Sequence, residues 1–139
     1  VEMTAHNAKQ NGLDVEAVEA DVFDFLTELD KKEDHSYDYI VLDPPAFTKA
    51  GKTVHEAFRG YKEINYRAMK ILPRGGYLAT CSCSHFMGEE LFVKMVKEAA
   101  RDAGVTLRQI EFRQQAPDHP ILMTVPETYY LKFFLFQIV

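Results

Sequence analysis

The chain has 139 residues, 47% hydrophobic content and a net charge of −5, which suit one soluble domain with a core of its own. No hydrophobic run approaches the roughly 20 residues that span a membrane, and the polar N-terminal segment is unlike a secretory signal peptide. The overall acidity argues against a free-standing nucleic-acid clamp.

The charge is nevertheless unevenly distributed along the chain. Residues 1–43 hold 3 basic and 12 acidic side chains, whereas residues 48–74 hold 7 basic and 2 acidic ones. The basic stretch leaves room for a face that contacts phosphates. A solvated helix face is the more common fate of such a run, and the sequence leaves both interpretations open.

The predicted helices and strands alternate along the chain. The hydrophobic spacing predicts helices from the N-terminus to Asn11–Gly12 and over 22–32, 52–72 and 86–103, and strands over 15–20, 37–42, 77–84, 107–113 and 129–139. This alternation favours a mostly parallel α/β sheet. The last two strands are joined by a loop without a helix, which favours a closing antiparallel hairpin.

Two acids are predicted to lie at the carboxyl ends of strands. In "VLDPPAFTKAG", the pair Pro44–Pro45 cannot continue a central strand, so Asp43 ends it. Asp21 follows the preceding predicted strand, Val15–Ala20. Open α/β sheets bind their ligands at this edge. The alternative is that each Asp only stops a strand or caps a helix.

The two cysteines, Cys81 and Cys83, are too close in sequence for a structural disulfide, which predicts reduced thiols and a cytoplasmic location. Cys83 is expected near a helix N-terminus capped by Ser84, where a thiolate is favoured. Two alternatives remain: a pair of small buried hydrophobic residues, or a zinc site that also uses His85. The second is weak because no further Cys/His pair has a usual zinc spacing.

Five segments together resemble the catalytic domain of RlmI-like methyltransferases, which use S-adenosylmethionine (SAM) to make 5-methylcytosine in large-subunit ribosomal RNA. The segments are "DVFDFL", "YDYIVLDPPAF", "RGYKEINYRAMKIL", "GGYLATCSCS" and "APDHPILMTVPETYYLK". The resemblance covers nearly the whole chain, and the order of the segments makes it specific. It implies a class I methyltransferase (Rossmann-like) fold, whose sheet has seven strands with the last one antiparallel.

The resemblance also implies a SAM site, of which this chain would supply only a part. Asp21 would meet the adenine with Val22 and Phe23 beside the ring, and Asp43 with Pro44–Pro45 would lie between cofactor and substrate. The family's first strands, its glycine-rich loop, its ribose-binding acid and its N-terminal PUA domain have no counterpart here. Residues 1–139 are therefore expected to form an N-terminally truncated SAM-dependent methyltransferase domain.

The implied reaction is methylation of cytosine carbon 5 through a cysteine adduct. Cys83 would be the nucleophile that adds to carbon 6, and Asp43 would bind the pyrimidine edge. The family's second cysteine is replaced by Ala46, so the group that assists release is left open.

The RNA contacts are expected from the "DPPAF" turn and the basic stretch that follows it. Phe47 would stack on the displaced base, while Lys49, Arg59 and Lys62 would meet phosphates. No metal is expected.

Two other functions remain open from the sequence. An amino-group methyltransferase would place an aromatic residue directly after the prolines, where this chain has Ala46. A non-catalytic fragment would expose the edge of the strand ending at Leu42 and self-associate, for example as a homodimer.

Overall fold

The computed structural model describes residues 1–47 and 53–139, in which four strands form one sheet accompanied by four α-helices. The helices are α1 (Glu2–Gln10), α2 (Val22–Lys31), α3 (Val54–Ile71) and α4 (Glu89–Ala103), and the strands are β1 (Tyr39–Leu42), β2 (Tyr77–Ser82), β3 (Leu107–Arg113) and β4 (Lys132–Ile138). Among the described residues, no helix combines the length and hydropathy needed to cross a membrane.

The strand order in the sheet is β1-β2-β4-β3. β1 and β2 are parallel, while β4 lies between β2 and β3 and is antiparallel to both. The predicted closing hairpin is therefore confirmed. Because β4 enters the middle of the sheet, its first residue reaches the edge where β2 ends.

The hydrophobic core lies between one face of the sheet and the helices α2, α3 and α4. Alternate residues of β4 are buried, from Lys132 through Phe134 and Phe136 to Ile138, as a strand with one covered face requires. The rings of Phe92 from α4 and Phe134 stack with centroids 5.7 Å apart. This contact packs α4 against β4.

The predicted strand at Val15–Ala20 is wrong. These residues have no regular structure, and all but Ala17 are exposed. β1 is the outermost strand of the described sheet on this side. An extended segment becomes a strand only when a neighbour pairs with its backbone, and residues 15–20 have no such neighbour among the described strands.

The predicted start of α4 is also wrong. The helix begins at Glu89 after Gly88, instead of at Phe86, and the N-cap residue is Gly88 instead of Ser84. Cys83 therefore lies six residues before the helix, too far for the helix dipole to favour a thiolate. The predicted end is confirmed: Gly104 adopts the left-handed conformation, with φ of 70°.

Candidate functional site

An open cleft of about 560 Å³ lies where β1 ends and α2 begins. Its walls include the six residues predicted to bind a cofactor and one predicted to bind substrate: Asp21, Val22, Phe23, Asp43, Pro44, Pro45 and Phe47. Leu42 and Ile64 add apolar surface. Two carboxylates beside apolar walls suit a ligand that presents a flat ring and a hydrogen-bond donor or a positive charge.

Asp21 holds the N-terminus of α2. Its Oδ1 accepts hydrogen bonds from the backbone N–H groups of Phe23 (2.9 Å) and Asp24 (3.2 Å). The capping interpretation is thus correct for one carboxylate oxygen. The side chain remains exposed at the cleft, so Oδ2 can still accept a hydrogen bond from a ligand.

Phe47 joins the "DPPAF" turn to α3. Its ring makes an edge-on contact with the ring of Tyr61, with centroids 4.7 Å apart, and lies 6.3 Å from the ring of Phe23. A Cβ atom added at Gly60 would lie 3.4 Å from the Phe47 ring, so the helix surface is close beneath it. The ring is half-buried, which leaves only part of it available to a substrate base.

The two cysteines have opposite environments. Cys81 is buried in β2, and this burial, followed by the charges of Asp43 and Cys83, raises the pKa of its thiol to about 11. Cys83 follows the end of β2 and is exposed. Both thiols are free. Of the two thiols, only that of Cys83 is exposed, and the charges of Cys83 and Asp43 both act on Cys81 and on Tyr61.

Three residues beside the end of β2 and the loop that carries Cys83 were not predicted as site residues: Tyr61, Ser82 and Lys132. The Ser82 Oγ donates to the Tyr61 phenol oxygen at 3.1 Å, and burial is the main cause that raises the pKa of this phenol. The Lys132 Nζ donates to the carbonyl oxygens of Ser84 (2.5 Å) and Tyr130 (2.8 Å). One sequence feature could have revealed Lys132 as a site residue: it is the single lysine inside the apolar segment "YYLKFFLFQIV".

Of the three basic residues predicted to meet phosphates, Lys62 is engaged in ion pairs within the fold. Lys62 pairs with Asp102 at 2.7 Å and Glu98 at 3.6 Å, and the bond to Asp102 is the main cause that raises the pKa of Lys62. This pairing links α3 to α4 and counters the lysine's charge. Arg59 is exposed, whereas Lys49 lies outside the described residues.

The remaining polar candidates do not form a metal site. Within 1–47 and 53–139, no three His, Cys, Asp or Glu side chains come together as a metal would require. The His85 ring lies 3.9 Å from the ring of Phe86. Asp118 and His119 pair with each other at 3.3 Å in an exposed loop.

The chain is similar in sequence to ribosomal RNA methyltransferases of known name. It is 44% identical to ribosomal RNA large subunit methyltransferase I from Aeromonas salmonicida over 135 residues, and 47% identical to that from Shewanella amazonensis over 130 residues. The matches cover 95% and 91% of this chain, but 34% and 33% of the relatives. The chain spans about one third of the length of these relatives. No family model matches it.

Solved structures show the same fold at lower identity. SMU.776, assigned as a methyltransferase and crystallised with SAH, superposes with a TM-score of 0.81 at 20% identity over 98% of this chain and 36% of its own. TTHA0409 from Thermus thermophilus, assigned as a DNA modification methylase, has a TM-score of 0.54 at 15% identity over 86% of this chain and 50% of its own. The predicted methyltransferase-type α/β fold is thereby confirmed, in a chain shorter than its structural neighbours.

Proposed function

We propose that this chain is the part of a SAM-dependent methyltransferase that carries one side of the cofactor site and the nucleophile, and that its substrate is large-subunit ribosomal RNA. The main support is the 44% identity to methyltransferase I over 95% of the chain. The cleft that gathers the predicted cofactor residues supports the same function. Such a substrate would place the protein in the cytoplasm.

The cleft fits the adenosyl part of SAM. The free Oδ2 of Asp21 would accept from the adenine amino group, while Val22 and Phe23 supply apolar surface beside the ring. Asp43 and the rigid Pro44–Pro45 turn would separate the cofactor from the base. The cofactor supplies an electrophilic methyl group on a sulfonium.

The proposed reaction begins at Cys83. Its thiolate adds to carbon 6 of cytosine, which makes carbon 5 nucleophilic enough to take the methyl group from the sulfonium. A base then removes the carbon 5 proton, the carbon–sulfur bond breaks, and the thiolate is restored. Asp43 would hold the pyrimidine edge during these steps, near enough for its charge to act on Cys81 and Tyr61.

The RNA would approach over the exposed start of α3. The target base must leave its stack to reach the thiol. Arg59 is the exposed cation proposed to meet a phosphate, and Lys49 remains a proposal of the same kind. Lys62 is the weaker candidate because it is paired with α4. Phe47 would offer the exposed part of its ring to the base.

The test is methyl transfer by single-cysteine variants. A chimaera in which this chain replaces the matching third of the Aeromonas salmonicida relative restores the relative's length. We expect Cys83→Ala to reduce methyl incorporation into ribosomal RNA by at least about a thousandfold, whereas Cys81→Ala retains activity. Equal activity of the two variants would contradict the thiolate mechanism. A product methylated on the exocyclic amine would favour the amino-group alternative.

A further inference from the structure

We propose that Lys132 is a positioning residue for Cys83: its buried ammonium group holds the loop that carries the thiol and stabilises negative charge on the sulfur. The catalytic consequence of this charge effect rests on the proposed function. The charge effect itself does not, because it concerns two residues of this chain and needs neither cofactor nor RNA.

The sheet register brings Lys132 to the cysteine loop. Lys132 opens β4 and lies opposite Ser82, the last residue of β2. From there its Nζ reaches the carbonyl oxygen of Ser84 at 2.5 Å, one residue beyond Cys83. A second bond, to the carbonyl oxygen of Tyr130 at 2.8 Å, ties the same ammonium to the segment before β4. The loop after β2 is thus held from one side by a charged donor.

The position of this ammonium is costly for folding. Lys132 is only 1% exposed, and no carboxylate of the described residues lies within 4.0 Å of its Nζ. The other inward positions of β4 hold Phe134, Phe136 and Ile138, so an apolar side chain would suit this face. Two neutral carbonyl groups offset only part of the cost of removing an ammonium from water. A buried charge that is only partly compensated marks Lys132 as a candidate functional residue.

Two groups on neighbouring elements supply negative charge to Lys132. The charges of Cys83, in the loop after β2, and of Glu89, at the start of α4, each raise the pKa of Lys132. Glu89 also accepts a hydrogen bond from the Tyr129 hydroxyl at 2.8 Å. Burial acts in the opposite direction and dominates, so the pKa of Lys132 falls to about 8. A positive charge held at the carbonyl group of the residue after Cys83 would favour negative charge on the sulfur.

The first test uses a variant that leaves Lys132 in place. In the 139-residue chain with ¹³C-labelled lysine, the Lys132 Cε resonance is followed against pH, with Lys132→Arg used to assign it. We expect Cys83→Ser to move the Lys132 titration to lower pH, because the charge of the thiolate is lost. Cys81→Ser is the matched control and should leave it unchanged, since the buried Cys81 is protonated at pH 8. An unchanged titration in Cys83→Ser would overturn the proposal.

The second test measures the reactivity of Cys83 directly. In a Cys81→Ala background, the rate of iodoacetamide alkylation is recorded from pH 6 to 10. We expect Lys132→Met to slow the reaction roughly threefold or more at pH 7 and to displace the rate profile to higher pH, whereas Lys132→Arg recovers part of the rate. Lys97→Met, an exposed lysine on α4, should match the wild-type profile. Superimposable profiles for Lys132→Met and the wild type would contradict the charge effect.

The two proposals fail separately. An altered alkylation profile in a chimaera that methylates no RNA would support the effect of Lys132 on Cys83 and overturn the proposed function. If the chimaera methylates RNA and Lys132→Met leaves the alkylation profile unchanged, the proposed function stands and the effect of Lys132 on Cys83 is overturned. If Lys132→Met does not fold, the titration in Cys83→Ser decides the matter alone.

Discussion

At the scale of single residues, the structure separates two cysteines that the sequence places side by side. The strand ends at Ser82, so Cys81 is held in the sheet and Cys83 lies in the loop beyond it. Burial raises the pKa of Cys81 to about 11, which leaves about one thiol in a thousand ionised at pH 8. Cys81 is therefore suited to packing in the sheet, whereas Cys83 is suited to reaction with a substrate.

This separation predicts selective alkylation. At pH 8 we expect iodoacetamide to modify Cys83 at least about tenfold faster than Cys81, because Cys81 is both buried and protonated. Peptide mass spectrometry after timed quenching measures both rates in one sample. Unfolding the chain in guanidinium chloride should make the rates similar. A faster reaction at Cys81 in the folded chain would contradict the assignment.

Asp21 combines two roles that a variant series can separate. Asp21→Ala removes the helix cap and should cost about 1 kcal/mol of stability, while Asp21→Ser keeps a capping oxygen. Both variants remove the carboxylate offered to adenine. Calorimetric titration with SAM should therefore show weaker binding for both, although only the alanine variant melts earlier. Full affinity in Asp21→Ser would mean that Asp21 is a cap and nothing more.

Burial of Lys132 predicts how stability depends on pH. Its pKa falls from 10.5 to about 8, so the unfolded chain binds more protons than the folded one between these values. The free energy of unfolding should then rise with pH over this window in the wild type relative to Lys132→Met. Urea unfolding at pH 7, 9 and 10.5 measures the difference. A difference that stays constant with pH would show that Lys132 is not held in this environment.

At the scale of elements, local patterns were sufficient where an element depends on its own sequence. The helices α2, α3 and α4 follow from their hydrophobic spacing, and Gly104 marks the end of α4 in both the sequence and the structure. The strand expected at Val15–Ala20 did not form because strand formation depends on a neighbour that no local pattern reveals. The apolar segment around Lys132 marks the lysine as unusual, but no local pattern reveals its partner Ser84, which lies 48 residues away in the sequence.

The end of α4 gives a prediction at this scale. Gly104 has φ of 70°, which a residue with a Cβ atom adopts at a cost, so Gly104→Ala should lower the free energy of unfolding by about 1 kcal/mol. Gly104→Asn is the matched control because asparagine adopts the left-handed conformation more readily than alanine. Thermal and urea unfolding measure both variants. Equal stability of the two would contradict the left-handed assignment.

At the scale of the whole molecule, the sheet is covered unevenly. The core helices pack on one face, while Tyr39 and Val41 of the outermost strand β1 are 49% and 61% exposed. An exposed apolar strand edge pairs readily with another chain. We therefore propose that the 139-residue chain self-associates through β1, as the sequence suggested for the strand ending at Leu42.

Self-association through β1 is tested by a charge on its exposed side. In sedimentation velocity at increasing concentration, the wild-type chain should form dimers or larger species, and Val41→Lys should shift the distribution toward monomer. Lys94→Met on the distant helix α4 serves as a surface control. A wild-type chain that remains monomeric over the full concentration range would contradict the proposal.

The central claim is that Cys83 forms a bond to cytosine during methyl transfer, and a trapped adduct tests it most directly. Ribosomal RNA containing 5-fluorocytidine is incubated with SAM and the chimaera. Fluorine at carbon 5 cannot leave as a proton does, so the adduct persists once the methyl group is transferred. We predict a stable protein–RNA species whose attachment maps to Cys83 by mass spectrometry and which Cys83→Ala abolishes. Attachment at Cys81, or efficient methylation of unmodified RNA without any adduct, would contradict the account.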